Sequence, residues 1–270
     1  MKSYFGIFVI ILVSMIAASC STTRVLQDGE YRLTKNKIEI RNDDSFNSSQ
    51  LNKYLKQNEN LGWSPFMVMY NWSNGTGNGW DRFLKKIGKA PVVYDPDMVE
   101  SSIENITNHL EYLGYYGSSV NSEISVNKRR VSVIYNVNLG KRFPIKEVRY
   151  NLPSRGEFKE AFLSDTSHLG LRRGEFLSEA ALEEISVASA SRMRNMGFFD
   201  FSKNNFFFEA DTISCPDSAV LELIINEYTR NESFKVADAI RRFHIGDVSI
   251  TYPKSLKIKD KVLKGLNTVE

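Results

Sequence analysis

The hydrophobic pattern divides the chain into short elements whose order repeats. Residues 35–40 (KNKIEI) alternate polar and apolar and predict a strand. In SFNSSQLNKYLKQNE, Phe46, Leu51, Tyr54 and Leu55 fall near helical spacing behind capping-type residues, which predicts a short helix ending near Asn60. A longer helix follows Asp95 and Pro96. Its apolar stripe is Met98, Val99, Ile103, Ile106, Leu110 and Leu113; Asp95 can cap it and Gly114 ends it. Strands are predicted at 120–126 and 130–138, with Asn127, Lys128 and Arg129 as the turn.

The same order then returns. Residues 145–150 alternate as a strand, 157–163 form a short helix, and a longer helix places Leu182, Ile185, Ala188 or Ser189, and Met193 on one face before ending at Gly197. Strands are predicted at 204–211 and 219–228. Residues 243–252 alternate again, and KIKDKVLKGL starts another helical pattern. The unit is β-α-α-β-β, present twice with a third begun. Both helix ends read alike, Leu113-Gly114-Tyr115-Tyr116 and Met196-Gly197-Phe198-Phe199, with glycine supplying a left-handed exit and aromatics free to fold back over the core. Three strands under two helices make a small α+β module rather than a dinucleotide-binding unit. Serial modules of this kind serve as arms or binding tracks more often than as enzymes.

Ahead of the first unit, Lys2 precedes an apolar run from Tyr4 to Ala18, short for a bilayer span but suited to a signal-peptide core. Ala17, Ala18 and Ser19 lead into Cys20, a stretch that resembles a bacterial lipobox except that Ala17 stands where leucine is commonest. The expectation is cleavage before Cys20 and acylation of that cysteine, with ordinary cleaved secretion and an uncleaved anchor as alternatives. Acyl chains, at about 0.8 kcal/mol per buried methylene, would hold the protein on a bilayer. The polar residues 20–34 read as a lipidated tether.

Composition narrows the classes. Of 270 residues, 25% are charged and 42% hydrophobic, which excludes a disordered tail, a collagen-like repeat and a multi-span membrane protein. With 35 Lys and Arg against 32 Asp and Glu the net charge is +3, too small a field for a nucleic-acid binder. Cys215 precedes Pro216 between two strands and reads as a turn or packing residue. His109, His168 and His244 have no metal-ligand spacing, no G-x-S-x-G occurs, and Asp95 and Asp97 read as helix-start charges. No catalytic residue, metal site or cofactor is therefore expected, and no small-molecule substrate.

Residues 58–92 interrupt the first module with an aromatic and glycine-rich insertion. Trp63, Trp72 and Trp80 make it a candidate interaction surface, against the alternative that it folds onto its own domain. Its Gly75-Thr76-Gly77-Asn78-Gly79 run looks like a phosphate loop but lacks the preceding strand and the following Lys-Ser/Thr.

The β-α-α-β-β units with their LGYY and MGFF signatures resemble polypeptide-transport-associated (POTRA) domains. Taken with the lipobox, GEYRLTKNKIEI, WDRFLKKIGKAPVVYD and YNVNLGKRFPIKEVRY, the chain resembles the lipoprotein TamL branch of the BamA/TamA superfamily of Bacteroidota. On that likeness the domains are a signal peptide at 1–19, the tether at 20–34, POTRA-like modules at 35–142 and 143–230, and an incomplete third at 231–270. Family members continue into a transmembrane barrel; the series of roughly ten-residue alternating strands that a barrel needs is not found here. The residues given are then expected to be a fragment, a truncated product or the periplasmic part of a split system.

The resemblance implies a non-catalytic role in the periplasm at the outer membrane: binding unfolded outer-membrane proteins, a TamB-like partner or assembly machinery by strand addition. The edge strands it implies are 120–126, with Val120, Glu123, Ile124 and Val126, and 204–211, with Phe206, Phe207 and Phe208. Alternation puts Phe207 on the face opposite the other two, and whether helices cover all three is open. A structural or adhesive surface lipoprotein is the alternative function.

Overall fold

The computed structural model describes residues 22–60, 65–164, 166, 169, 171–230, 236–247, 249–250 and 267–268. The signal segment, Cys20, Trp63, His168 and the helical pattern at 257–266 lie outside the described residues. The chain folds as two compact units, 1–142 and 143–270.

In the first unit, β1 (Arg32–Ile40) is followed by a 3₁₀ turn (Ser48–Tyr54), α1 (Pro65–Asn71), α2 (Gly79–Ile87), α3 (Pro96–Tyr112), β2 (Ser119–Asn127) and β3 (Arg130–Asn138). The sheet order is β1-β3-β2. β1 lies parallel to β3, and β2 pairs with it antiparallel through the loop Lys128–Arg129, where Lys128 takes a left-handed φ of 55°. The central strand is the most regular: Val131, Val133, Tyr135 and Val137 all point into the core. α3 lays Val99, Ile106 and Leu110 on them, and Leu33, Ile38 and Leu51 close the sides. Each fully buried aliphatic side chain contributes about 1.5–3 kcal/mol to holding helix on sheet. Asp95 caps α3 by accepting the Asp97 N–H at 3.0 Å, with Pro96 in the first turn.

Three expectations for this unit are corrected. The helix expected in residues 45–60 is a 3₁₀ helix confined to Ser48–Tyr54, capped by Asn47, whose Oδ1 accepts the Ser49 N–H and hydroxyl (3.0 and 2.6 Å), and within it only Leu51 is buried. Residues 22–34 are not a tether. Leu26 and Leu33 are buried, β1 begins at Arg32, and the buried Arg32 guanidinium donates to the Thr22 hydroxyl at 2.6 Å. Two inward apolar side chains in a polar stretch were enough to draw it onto the domain. In α3, Met98 is exposed, and Ser102 takes its place in the buried stripe, its hydroxyl bonding the Met98 carbonyl at 2.6 Å.

The second unit repeats the order with β4 (Ile145–Asn151), α4 (Gly156–Leu163), α5 (Glu179–Asn195), a 3₁₀ turn (Lys203–Asn205), β5 (Phe206–Asp211) and β6 (Ala219–Ile225). Its sheet runs β4-β6-β5, again with a parallel first pair and an antiparallel hairpin. The core is aromatic: Phe158 meets Phe198 and Phe201 with ring centroids at 5.1 Å, and Phe162 and Phe206 extend the cluster. On α5 the alternative resolves to Ser189, which is buried with Ile185 and Met193 while Ala188 faces out.

The predicted strand 219–228 breaks at Asn226. Buried Asn205 explains this: its amide N–H groups donate to the Asn226 and Tyr228 carbonyls (3.0 and 3.2 Å), while its Oδ1 accepts the Ser202 N–H at 3.0 Å. Beyond it a short hairpin forms, β7 (Tyr228–Arg230) with β8 (Val236–Asp238). A two-residue parallel pair, β9 (Ser249–Ile250) with β10 (Asn267–Thr268), completes the described strands.

The boundary placed at 230 is also corrected. Ala239 and Ile240 are buried in the second core, Arg155 pairs with Asp238 at 2.7 Å, and Arg242 with Glu157 at 2.9 Å. Residues 243–247 are not strand; the Phe243 N–H bonds the Gly197 carbonyl at 2.7 Å and its ring meets Phe199, which holds Phe243 at the end of α5, while Ile245 is left exposed. Among the described residues, the strands close no barrel.

Candidate functional site

Among the described residues, both units expose the same feature, a sheet edge with no strand paired to it. The middle strand in sequence order, β2 or β5, stands at one edge of each sheet. Among the described residues, the outer side of β2 and of β5 beyond Phe206 has no backbone partner. The opposite edge is treated differently. At the start of β1 the Leu33 N–H donates to the Val92 carbonyl (2.8 Å), the Tyr94 N–H to the Tyr31 carbonyl (2.7 Å), and Arg32 bridges Val93. At the start of β4 the Ile145 N–H donates to the Glu175 carbonyl (2.7 Å), the Gly174 N–H to the Ile145 carbonyl (2.8 Å), and Pro144 bridges Phe176. In each case the segment just before the long helix closes only the first residues of that edge. An open row of N–H and C=O groups is a template for another strand.

The corner leading to each open strand is built identically. Gly114 and Gly197 sit at φ 87° and 100°. The Tyr115 N–H reaches back to the Leu110 carbonyl and the Gly114 N–H to Glu111; Phe198 and Gly197 do the same to Met193 and Arg194. This double bond pattern ends the helix and turns the chain into the edge strand. The following aromatics anchor the turn: Tyr115 packs edge-on against Phe46 at 5.4 Å, and Phe198 is buried.

Side chains along β2 grade from buried to open. Val120 is buried, Glu123 is exposed, and Ile124 and Val126 are 45% and 55% exposed although they share the Val120 face. Their cross-strand partners Val133 and Val131 are buried, so an apolar strip runs off the sheet edge into solvent. On β5, Phe206 is buried, Phe208 half-buried and Phe207 51% exposed, as alternation predicts.

The insertion folds as a helical hairpin, α1 and α2, with Trp72 and Trp80 both exposed. Trp80 stacks on Phe83 at 5.6 Å. Its glycine-rich connection has its own occupant. The buried Asp81 carboxylate accepts the Ser73 hydroxyl and the N–H groups of Asn74, Gly75 and Gly77 (2.9, 3.2 and 3.2 Å), with Lys85 at 3.5 Å. These amides cradle an internal carboxylate where a phosphate loop would hold a nucleotide. Asp81 was not legible as a functional residue; its signal is the acidic residue two positions after an Asn-Gly pair.

The Ser73 hydroxyl above all, with the Gly77 and Gly75 amides and Lys85, lowers the Asp81 pKa from 3.8 to about 2. A depressed carboxyl stabilises the loop fully above its unfolded pKa, and that contribution is lost as pH falls through the folded one. Trp80 emission should therefore stay native at pH 3 and change only toward pH 2. Asp81→Asn should remove that transition; a wild-type change centred near pH 4 would contradict the cradle.

His109 stacks on Tyr54 at 4.1 Å, its pKa lowered by burial and by Lys53, and His244 is exposed. Cys215 lies in the β5–β6 loop, 3.5 Å from the Lys146 ammonium. Among the described residues, no group of three or more His, Cys, Asp or Glu is placed to hold a metal ion. No described helix is long and apolar enough to cross a membrane.

Comparison with known proteins follows the same lines. No curated protein matches the chain. Solved structures similar to it include the following three. BamA POTRA3-5 of Haemophilus influenzae has 14% identity and a TM-score of 0.38 over 89% of this chain and 78% of that one. BamA of Haemophilus ducreyi lacking POTRA domains 1-3 has 14% and 0.38 over 74% and 30%. POTRA1-2 of Omp85 from Anabaena has 10% and 0.31 over 74% and 98%. The family model POTRA, described as surface antigen variable number repeat, matches residues 33–140, which lie in the first unit, and the second unit repeats the sheet order of the first.

Proposed function

We propose that the chain is the periplasmic POTRA arm of an outer-membrane protein assembly or translocation factor, of the TamL lipoprotein type. It holds unfolded segments of outer-membrane proteins, or an extended segment of a TamB-like partner, by strand addition at β2 and β5. Cys20 carries the lipid that keeps the arm at the outer membrane. No covalent step is involved: main-chain hydrogen bonds supply affinity that tolerates many sequences, and Ile124, Val126 and Phe207 supply apolar contact.

The observation that carries this reading is the paired asymmetry of the sheets, in which each unit closes the start of one edge with its own chain and leaves the other open. The test is photocrosslinking from exposed positions 123 and 207 in cells. Adducts with unfolded outer-membrane protein chains or with an extended partner segment are expected. Adducts with folded proteins alone would favour a structural or adhesive lipoprotein.

A further inference from the structure

The described chain begins at Thr22, already fastened to the first unit by the Arg32 guanidinium. Only Ser21 separates Thr22 from Cys20, two residue steps with a reach of about 7 Å at most. The next residues line two recesses. Thr23, Thr34, Lys128, Arg129, Arg130 and Ser132 border one of about 810 Å³ at the tip of the β2–β3 hairpin. Arg24, Tyr70, Asn74 and Lys85 border another of about 530 Å³ against the helical hairpin. Arg24 is fixed there: its N–H donates to Asn71 Oδ1 at 3.0 Å and its guanidinium to Asn74 Oδ1 at 3.1 Å.

Two surface features are carried by the elements that border these recesses. One is cationic, with Lys128 and Arg130 exposed and Arg129 held by the Leu26 and Gln27 carbonyls; the carboxylates in the adjoining turn are Asp28 and Glu30, the latter accepting the Gln27 N–H. The other is aromatic and basic. On α2, Trp80 is 65% and Phe83 48% exposed, beside Arg82, Lys85 and Lys86. Indole and phenyl rings among basic side chains suit the interfacial layer of a bilayer, where the rings enter the headgroup boundary and the cations meet anionic headgroups.

We propose that the first unit rests directly on the membrane surface as a second contact beside the lipid: α2 enters the interface through Trp80 and Phe83, and the Lys128–Arg130 hairpin tip takes anionic headgroups. The orientation rests on the lipid-anchor reading of Cys20, since a fifteen-residue tether would have left the unit free of the surface. The open edge of β2, which ends at this hairpin, then starts near the bilayer where a client strand must be delivered.

The test uses the mature chain from residue 20 with Cys20→Ser, so that no acyl group contributes, and vesicles of phosphatidylethanolamine with about 30% phosphatidylglycerol. Partitioning in a sedimentation assay is expected, with a blue shift of tryptophan emission. K128Q/R130Q should weaken it by roughly tenfold or more, and neutral phosphatidylcholine vesicles should bind the native chain equally poorly. W80A/F83A, at exposed positions, should weaken it similarly and abolish the shift without changing circular dichroism. No partitioning overturns the proposal and returns the aromatic hairpin to a protein partner, as does partitioning that both double variants leave unchanged. Acyl labelling at Cys20 in cells is a separate readout, so failure of the anchor and failure of the surface contact are distinguishable.

Discussion

Phe158→Ala should destabilise the second unit by about 3–5 kcal/mol and leave the first untouched. Phe158 is fully buried on α4 and meets three other rings, Phe198 and Phe201 at 5.1 Å and Phe162 at 6.0 Å. Truncation empties the centre of the cluster, and the rings around it are held by elements that cannot collapse together: α4, the turn after Gly197 and the start of β5. Pairs of this geometry add about 0.5–1.5 kcal/mol beyond area burial, which raises the expected loss toward the upper figure. The measurement separates the units because Trp63, Trp72 and Trp80 all lie in the first. The second unit's far-ultraviolet transition should move by roughly 2 M urea, while the tryptophan transition stays in place. Equal movement of both would show that the two cores unfold as one.

The elements read from hydrophobic period survived best where burial follows the period. α3 and β3 are examples: the 3.6 and 2.0 repeats there are the core contacts themselves, in Val99, Ile106 and Leu110 and in Val131 to Val137. The repeat of LGYY and MGFF was legible for the same reason, since glycine at a helix exit serves a backbone need that composition exposes. What escaped are features set by polar side chains acting at a distance in sequence. Asn205 divides a predicted strand by bonding carbonyls more than twenty residues on. Asp81 turns a glycine-rich run into a closed loop. Arg32 and Thr22 convert a supposed tether into packed structure, because a buried guanidinium with a partner is indistinguishable in sequence from an exposed one. The edge position of β2 and β5 came from family resemblance; periodicity reports which face of a strand is buried and is silent on which neighbour a strand lacks.

Ile124→Lys with Val126→Lys should cut the affinity of an unfolded outer-membrane strand peptide for the chain by at least about tenfold while changing stability by no more than about 0.5 kcal/mol. Both side chains are about half exposed, so the native fold has little to lose. A guest strand laid along β2 places its own side chains beside them at the spacing of cross-strand pairs, each contributing roughly 0.2–1 kcal/mol, and lysine replaces that contact with hydrated charge at an edge. Apolar contact alone would give a similar loss, so backbone pairing needs its own signature. Methylating alternate amides of the peptide should abolish binding, and methylating the intervening amides should leave it nearly intact, because only every second N–H of an edge-paired strand faces its host. A period of two identifies strand addition. Uniform loss at every position would mean that the strip on β2 recognises apolar side chains without extending the sheet, and Phe207 on β5 would then have to be judged on the same footing.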